Sequence, residues 1–144
     1  MKLLAYEVDK RSFLGVLNED ETWVYPVSAA GMEYRSMKDL IREAGPSEME
    51  MLDYISKKAP GDVVGAAPVD EIRVVSPIAE PDQDIICLGI NYMDHAKESA
   101  RFKKEEFSKP EKAIYFSKRV NRTNDPDGII PAHKNLTNQL DYEA

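Results

Sequence analysis

The run Asn91-Tyr-Met-Asp-His95-Ala-Lys-Glu98 puts an imidazole three residues ahead of a carboxylate. On a helix that spacing brings both side chains to one face. Glu98 then accepts from one ring nitrogen, fixes the tautomer, and leaves the other nitrogen open to take a proton from water. Such a pair is equipped for general-base chemistry. A solvated surface pair has the same spacing, and the residues alone leave both readings open. Arg101, further along the same segment, has the reach to clamp a carboxylate or to pair with Glu98. Cys87 lies in an apolar run where a thiolate is disfavoured, so a buried structural thiol is expected rather than a nucleophile. His133, in Pro-Ala-His-Lys, has no acidic ligand pair nearby and reads as a loop residue.

These residues need elements to hold them. The continuous apolar run Ile85 to Ile90 reads as a strand covered on both faces. It feeds through Gly89 and Asn91 into a helix-compatible segment from about Tyr92 to Phe102. Asn91 is placed to cap that helix, with Asp94 reaching back as its capping-box partner. Ala113 to Ser117 reads as a further strand. Asp125-Pro-Asp-Gly128 is a turn, and Ile129-Ile130-Pro131 resumes an extended course.

Upstream, Leu3 to Val8, Ser12 to Leu17 and Thr22 to Val27 are β-rich runs parted by polar clusters, the pattern of an antiparallel meander. Met37, Leu40 and Ile41 recur at helical spacing behind Ser36, a capping residue, and Gly45-Pro46 ends that helix. A second helix is expected after Ser47, with Met51, Leu52, Ile55 and Met49 inward, until Ala59-Pro-Gly61 breaks it. Residues 60 to 81 turn to Val, Ala, Pro and Gly, a connector containing an extended Ile72 to Val75. The domain boundary falls in this connector: 1–70 forms a small N-terminal domain and 71–144 a second one. The fold class expected is α+β and β-rich.

At 144 residues and 42% hydrophobic, the chain is long and apolar enough to bury a core, which excludes disorder over most of its length. A net charge of −7 offers no general field for phosphate backbones or anionic lipids, so no nucleic acid and no membrane partner is expected. No apolar run has signal-peptide or membrane-span length. One cysteine forbids an internal disulfide, and a reducing cytoplasmic location is expected. The Asn-x-Thr triplets at Asn121 and Asn135 then carry no glycosylation meaning.

The run Cys87-Leu-Gly-Ile-Asn-Tyr-Met-Asp-His-Ala-Lys-Glu98 resembles the G-x-N-Y-x-x-H-x-x-E signature that opens the catalytic domain of the fumarylacetoacetate hydrolase family. Phe116-x-Lys118 and the closing Leu-Asp-Tyr-Glu143 resemble that family's next two landmarks, in the same order. The resemblance spans about residues 70 to 144, and the meander is similar to the small leading domain of many bacterial members. It implies a rolled, mixed β-sheet catalytic domain that binds Mg²⁺ or Mn²⁺, assembles as a homodimer and acts on small 2-oxo or enol acids in catabolism. By the same resemblance His95 is the water-activating base, Glu98 its orienting partner and Glu143 the first metal ligand. Lys118 would neutralise a substrate carboxylate or enolate, though a lysine at a strand end is also commonly solvated.

The family's run continues Leu-Asp-Tyr-Glu-x-Glu, whereas this sequence closes at Ala144. The expectation is therefore a truncated catalytic domain with an incomplete metal site, since one carboxylate does not hold Mg²⁺ against its water shell. Hydrolysis of a C–C bond in an acylpyruvate-type acid is the first expectation for the parent activity. Isomerisation or decarboxylation of a related dioic acid is the second. The alternative from a different class is a catalytically inert remnant that serves as a folding or interaction module.

Overall fold

The computed structural model describes residues 1–89, Lys97 and residues 112–140. Two compact units emerge from the contacts, and each is taken by itself. The first comprises Met1–Ala79 with the described residues from Thr123 onward; the second comprises the described residues between Glu80 and Arg122.

The first unit is built on β1 (Leu3–Val8), β2 (Arg11–Leu17) and β3 (Trp23–Pro26). The first hairpin pairs Leu3 with Val16 through Val8 with Arg11, leaving Asp9-Lys10 as a two-residue loop. Both loop residues have positive φ, 49° and 63°, the mirror-image turn whose twist matches that of the flanking strands. The second hairpin closes on Asn18, whose side-chain oxygen accepts from the backbone N–H groups of Thr22 at 2.9 Å and Trp23 at 3.0 Å. The expected meander is present.

Helix α1 (Met37–Glu43) starts where Ser36 predicts: the Ser36 hydroxyl accepts from the Asp39 N–H at 3.2 Å. Helix α2 (Pro46–Ser56) begins two residues before the expected start after Ser47. Pro46 suits a first helical position, where its missing N–H costs no helical bond. Both helices rotate relative to the expected inward faces. Met37 and Leu40 are buried on α1 while Ile41 is 62% exposed; on α2, Leu52 and Ile55 are buried while Met51 is 45% exposed. Buried Ser56 and half-buried Ala44 extend these faces along the i, i+3/i+4 rows, turning Ile41 and Met51 outward.

Two further strands complete the sheet, β4 (Ala67–Pro68) and β5 (Arg73–Val75), in the antiparallel order β4-β3-β2-β1-β5. The expected extended stretch at Ile72 to Val75 thus joins the meander beside β1, pairing Ala5 with Val75 and Glu7 with Arg73. Strand alternation gives the sheet two apolar faces. Leu3, Leu14, Val16, Trp23 and Tyr25 pack against Met37, Leu40, Leu52 and Ile55 of the helices. Leu4, Tyr6 and Val24 form a second cluster with Val8, Leu17, Ile72 and Val74 on the other face. Every sheet pairing among the described residues is antiparallel, and the fold is α+β and β-rich.

The second unit contains β6 (Ile85–Leu88) and β7 (Tyr115–Lys118), an antiparallel ribbon pairing Ile85 with Lys118 through Leu88 with Tyr115. The Gly89 N–H donates to Ile114 O at 2.8 Å and extends the ladder. Among the described residues, no helix is long and apolar enough to cross a membrane.

Candidate functional site

Lys118 stands at the end of β7, exposed, in register with Ile85. His95, Glu98, Arg101 and Glu143 lie outside the described residues. The chain runs from β6 into His95 and Glu98 within ten residues of Leu88, and the β6–β7 ladder therefore anchors both the segment that leads to this pair and the strand that carries Lys118. Cys87 is half-buried rather than buried, with Sγ 4.0 Å from the Ile85 carbonyl oxygen. It lies in a ribbon whose Ile85, Ile86 and Leu88 are exposed, and the described residues do not themselves supply the cover expected on both faces of this strand. His133 is exposed in a turn, where its carbonyl accepts from the Leu136 and Thr137 N–H groups at 2.8 and 3.1 Å. That agrees with a loop role.

Among the described residues, no group of three His, Cys, Asp or Glu side chains is disposed to hold a metal ion. Glu143, the first metal ligand that the resemblance implies, lies outside the described residues, and the chemistry below is derived from this chain's own side chains. A hollow of about 120 Å³ lies between the Asn18 turn and α2, lined in part by Lys2, Glu21, Asp53 and Lys57. Lys2–Glu21 and Asp53–Lys57 already form ion pairs at 2.5 and 2.6 Å, so its walls are self-satisfied.

The polar cluster that sequence reasoning missed lies where the chain leaves and rejoins the first unit. Arg73 on β5 bridges two carboxylates, Glu7 on β1 and Asp125, each at 2.6 Å. Hydrogen bonding and charge from Glu7, then the charge of Asp125, push its already high pKa further up. The other Asp125 oxygen accepts from the Ser76 N–H at 2.9 Å. The Thr123 hydroxyl donates to the Ile78 carbonyl at 2.9 Å and lies 2.5 Å from the Ser76 hydroxyl, which must then supply the proton of that bond. The Thr123 N–H donates to the Ala79 carbonyl at 2.9 Å. The Asp-Pro-Asp-Gly turn was legible, with Gly128 N–H donating to Asp125 O at 3.0 Å. Nothing in its sequence names Ser76 and Arg73 as partners.

No family model matches the chain. Among curated proteins it is similar to the oxaloacetate tautomerase YisK of Bacillus subtilis, 29% identical over 154 aligned positions that cover all of this chain and 50% of that protein. It is also similar to uncharacterized proteins of Staphylococcus epidermidis, 26% over 155 positions, and Staphylococcus aureus, 26% over 156, each covering all of this chain and 49% of the relative. The chain spans about half the length of the curated relatives it matches.

Proposed function

We propose that this chain is part of an isomerase of small acids, of the fumarylacetoacetate hydrolase type, and that its reaction is keto–enol interconversion of a 2-oxo dicarboxylic acid such as oxaloacetate. The observation that carries the reading is the similarity along the entire chain to a protein named for that reaction. The His95–Glu98 spacing supplies chemistry of the right kind. In the keto-to-enol direction His95 takes a proton from the carbon beside the 2-oxo group. The C–H electron pair becomes the carbon–carbon π bond, the carbonyl π pair moves onto the oxo oxygen, and a proton from water completes the enol while the imidazolium later returns its own proton to water. Nothing is oxidised and no bond between heavy atoms breaks.

Glu98 steadies the imidazolium, and the Lys118 ammonium offsets the charge of the enolate or of a carboxylate. Hydrolysis, the first expectation from the motif, would direct the same pair at water. Isomerisation is preferred because of the named activity of the relative. Binding of Mg²⁺ or Mn²⁺ with Glu143 among the ligands, homodimeric assembly and a cytoplasmic, catabolic setting belong to the same proposal for the complete polypeptide.

The test follows decay of the ultraviolet absorbance of enol oxaloacetate with the natural polypeptide that carries these residues. Acceleration over buffer is expected, with His95→Ala lowering kcat by about a hundredfold or more. Decay no faster than in buffer sinks the reading, and near-normal turnover in His95→Ala removes the assigned role.

A second reading, an interaction module without catalysis, is favoured by the exposure of Ile86 at 73% and Tyr115 at 65% on the β6–β7 ribbon. Turnover abolished by His95→Ala excludes it.

A further inference from the structure

We propose that Thr123, Asp125, Ser76 and Arg73 form a clasp that closes the base of the β6–β7 ribbon, and that they are positioning residues for the segment carrying His95, Glu98 and Lys118. The role assigned to those three rests on the function proposed above; the clasp itself rests on geometry.

Among the described residues the ribbon is a two-stranded ladder with exposed side chains. Two strands with exposed faces are marginal in water, and Ile85, Ile86, Leu88, Ile114, Tyr115 and Phe116 are all at least 39% exposed. Pairing Leu88 with Tyr115 joins residues far apart in sequence, and that closure costs conformational entropy before the ladder returns any bond. The clasp supplies a second closure from the opposite end. Ala79 and Thr123 are hydrogen-bonded to each other, and only a few residues separate Ala79 from Ile85 and Lys118 from Thr123. With those ends held together, the strands meet at a high effective concentration and in one register. A one-residue slip would move Lys118 to the other face of the ribbon.

The anchor is firm on the side of the first unit. Ser76 is 9% exposed, Thr123 is partly buried and holds three partners, and Asp125 spends one oxygen on the Ser76 N–H and the other on Arg73. Arg73 in turn is fixed by the β1–β5 register and by Glu7.

The experiment compares Thr123→Val, which keeps the shape and the backbone N–H but loses the hydroxyl, with Thr123→Ser, which restores it. Hydrogen exchange is read by mass spectrometry in the natural polypeptide. Peptides covering Ile85–Gly89 and Tyr115–Lys118 should exchange about tenfold faster in Thr123→Val and return to normal in Thr123→Ser, with β1 and β2 unchanged. In the enol-decay assay Thr123→Val should lower kcat more than it changes KM.

Unchanged exchange in the ribbon overturns the clasp. Equal acceleration of β1 and β2 also overturns it, because Thr123 would then act only on overall stability. Should Thr123→Val fail to fold, Ser76→Ala, which deletes a single hydroxyl bond, is expected to shift the ribbon in the same direction by less; failure of both to fold ends the proposal. If the wild-type protein does not accelerate enol decay, the functional reading fails while the exchange result still decides the clasp.

Discussion

Gly15 shows how one residue type is dictated by its neighbours. It sits in β2 opposite Leu4 and Pro26, on the face where the Tyr6 ring and a Val24 methyl meet above it. A Cβ there would collide with Val24 Cγ2 and lie 2.8 Å from Tyr6 Cε1 and 3.1 Å from the Tyr25 carbonyl oxygen. Tyr6 and Val24 are 2% and 0% exposed, and Tyr6 stacks on Phe13 with centroids 5.5 Å apart, so neither has room to give. Gly15→Ala is expected to destabilise the first unit by about 1–3 kcal/mol, the usual range for overpacking. Urea denaturation checks it, and an unchanged midpoint would mean that the Tyr6–Val24 contact is looser than described. On the opposite face Tyr25 spends its hydroxyl on the Lys58 carbonyl at 2.7 Å, tying the chain after α2 to the sheet. Burial, then the charges of Asp20 and Asp62, push that phenol's pKa up.

At the scale of elements, α2 shows how a helix start responds to pH. The Glu48 carboxylate accepts from the Gly45 N–H at 3.1 Å and the Ser47 hydroxyl at 3.2 Å, near the positive end of the helix dipole. Hydrogen bonds from its own N–H, then from Ser47, and a smaller one from Gly45, hold its carboxyl below the ordinary value of 4.5. Because the folded pKa lies below the unfolded one, the stabilisation is fully present above about pH 4.5 and fades as the pH falls through the folded pKa. Glu48→Gln is expected to lower stability at neutral pH and to flatten the acid limb of a stability-against-pH curve below about 4.5. An acid limb of unchanged slope would show that the carboxylate contributes nothing to the helix start. The neighbouring Asp53–Lys57 pair at 2.6 Å is exposed, i to i+4, and contributes little because solvent screens it.

At the scale of the molecule, the first unit has one sheet whose helix-covered face is sealed by Leu52 and Leu40, 0% and 1% exposed. Leu52→Ala removes side-chain atoms from the centre of the cluster that joins β2 and β3 to both helices. A loss of about 2–5 kcal/mol is expected, a large share of a typical domain's stability, read as a lower denaturation midpoint. Near-wild-type stability would mean that this cluster collapses around the gap. The similarity to curated proteins covers both units, and the chain spans about half the length of those relatives.

Local structure was written in the residues. Alternation places Val16, Val24 and Tyr25 on opposite faces of a meander, Ser36 caps α1, and Asp125 to Gly128 makes the turn, because each depends on neighbours within a few positions. The inward faces of the short helices were misjudged at Ile41 and Met51, since a pattern over so few turns leaves the rotation undetermined until a sheet is present to bury it. For the candidate site, the spacing and resemblance of His95, Glu98 and Glu143 came from sequence alone, and those residues lie outside the described ones. Lys118 in register with Ile85, and the Arg73–Asp125–Ser76–Thr123 cluster, were decided only by the tertiary structure. Arg73 meets Glu7 across 66 residues and Ser76 meets Asp125 across 49. No periodicity encodes pairings at that distance; they form because strand β5 must find an edge of the sheet, and only then do the charges beside it acquire partners.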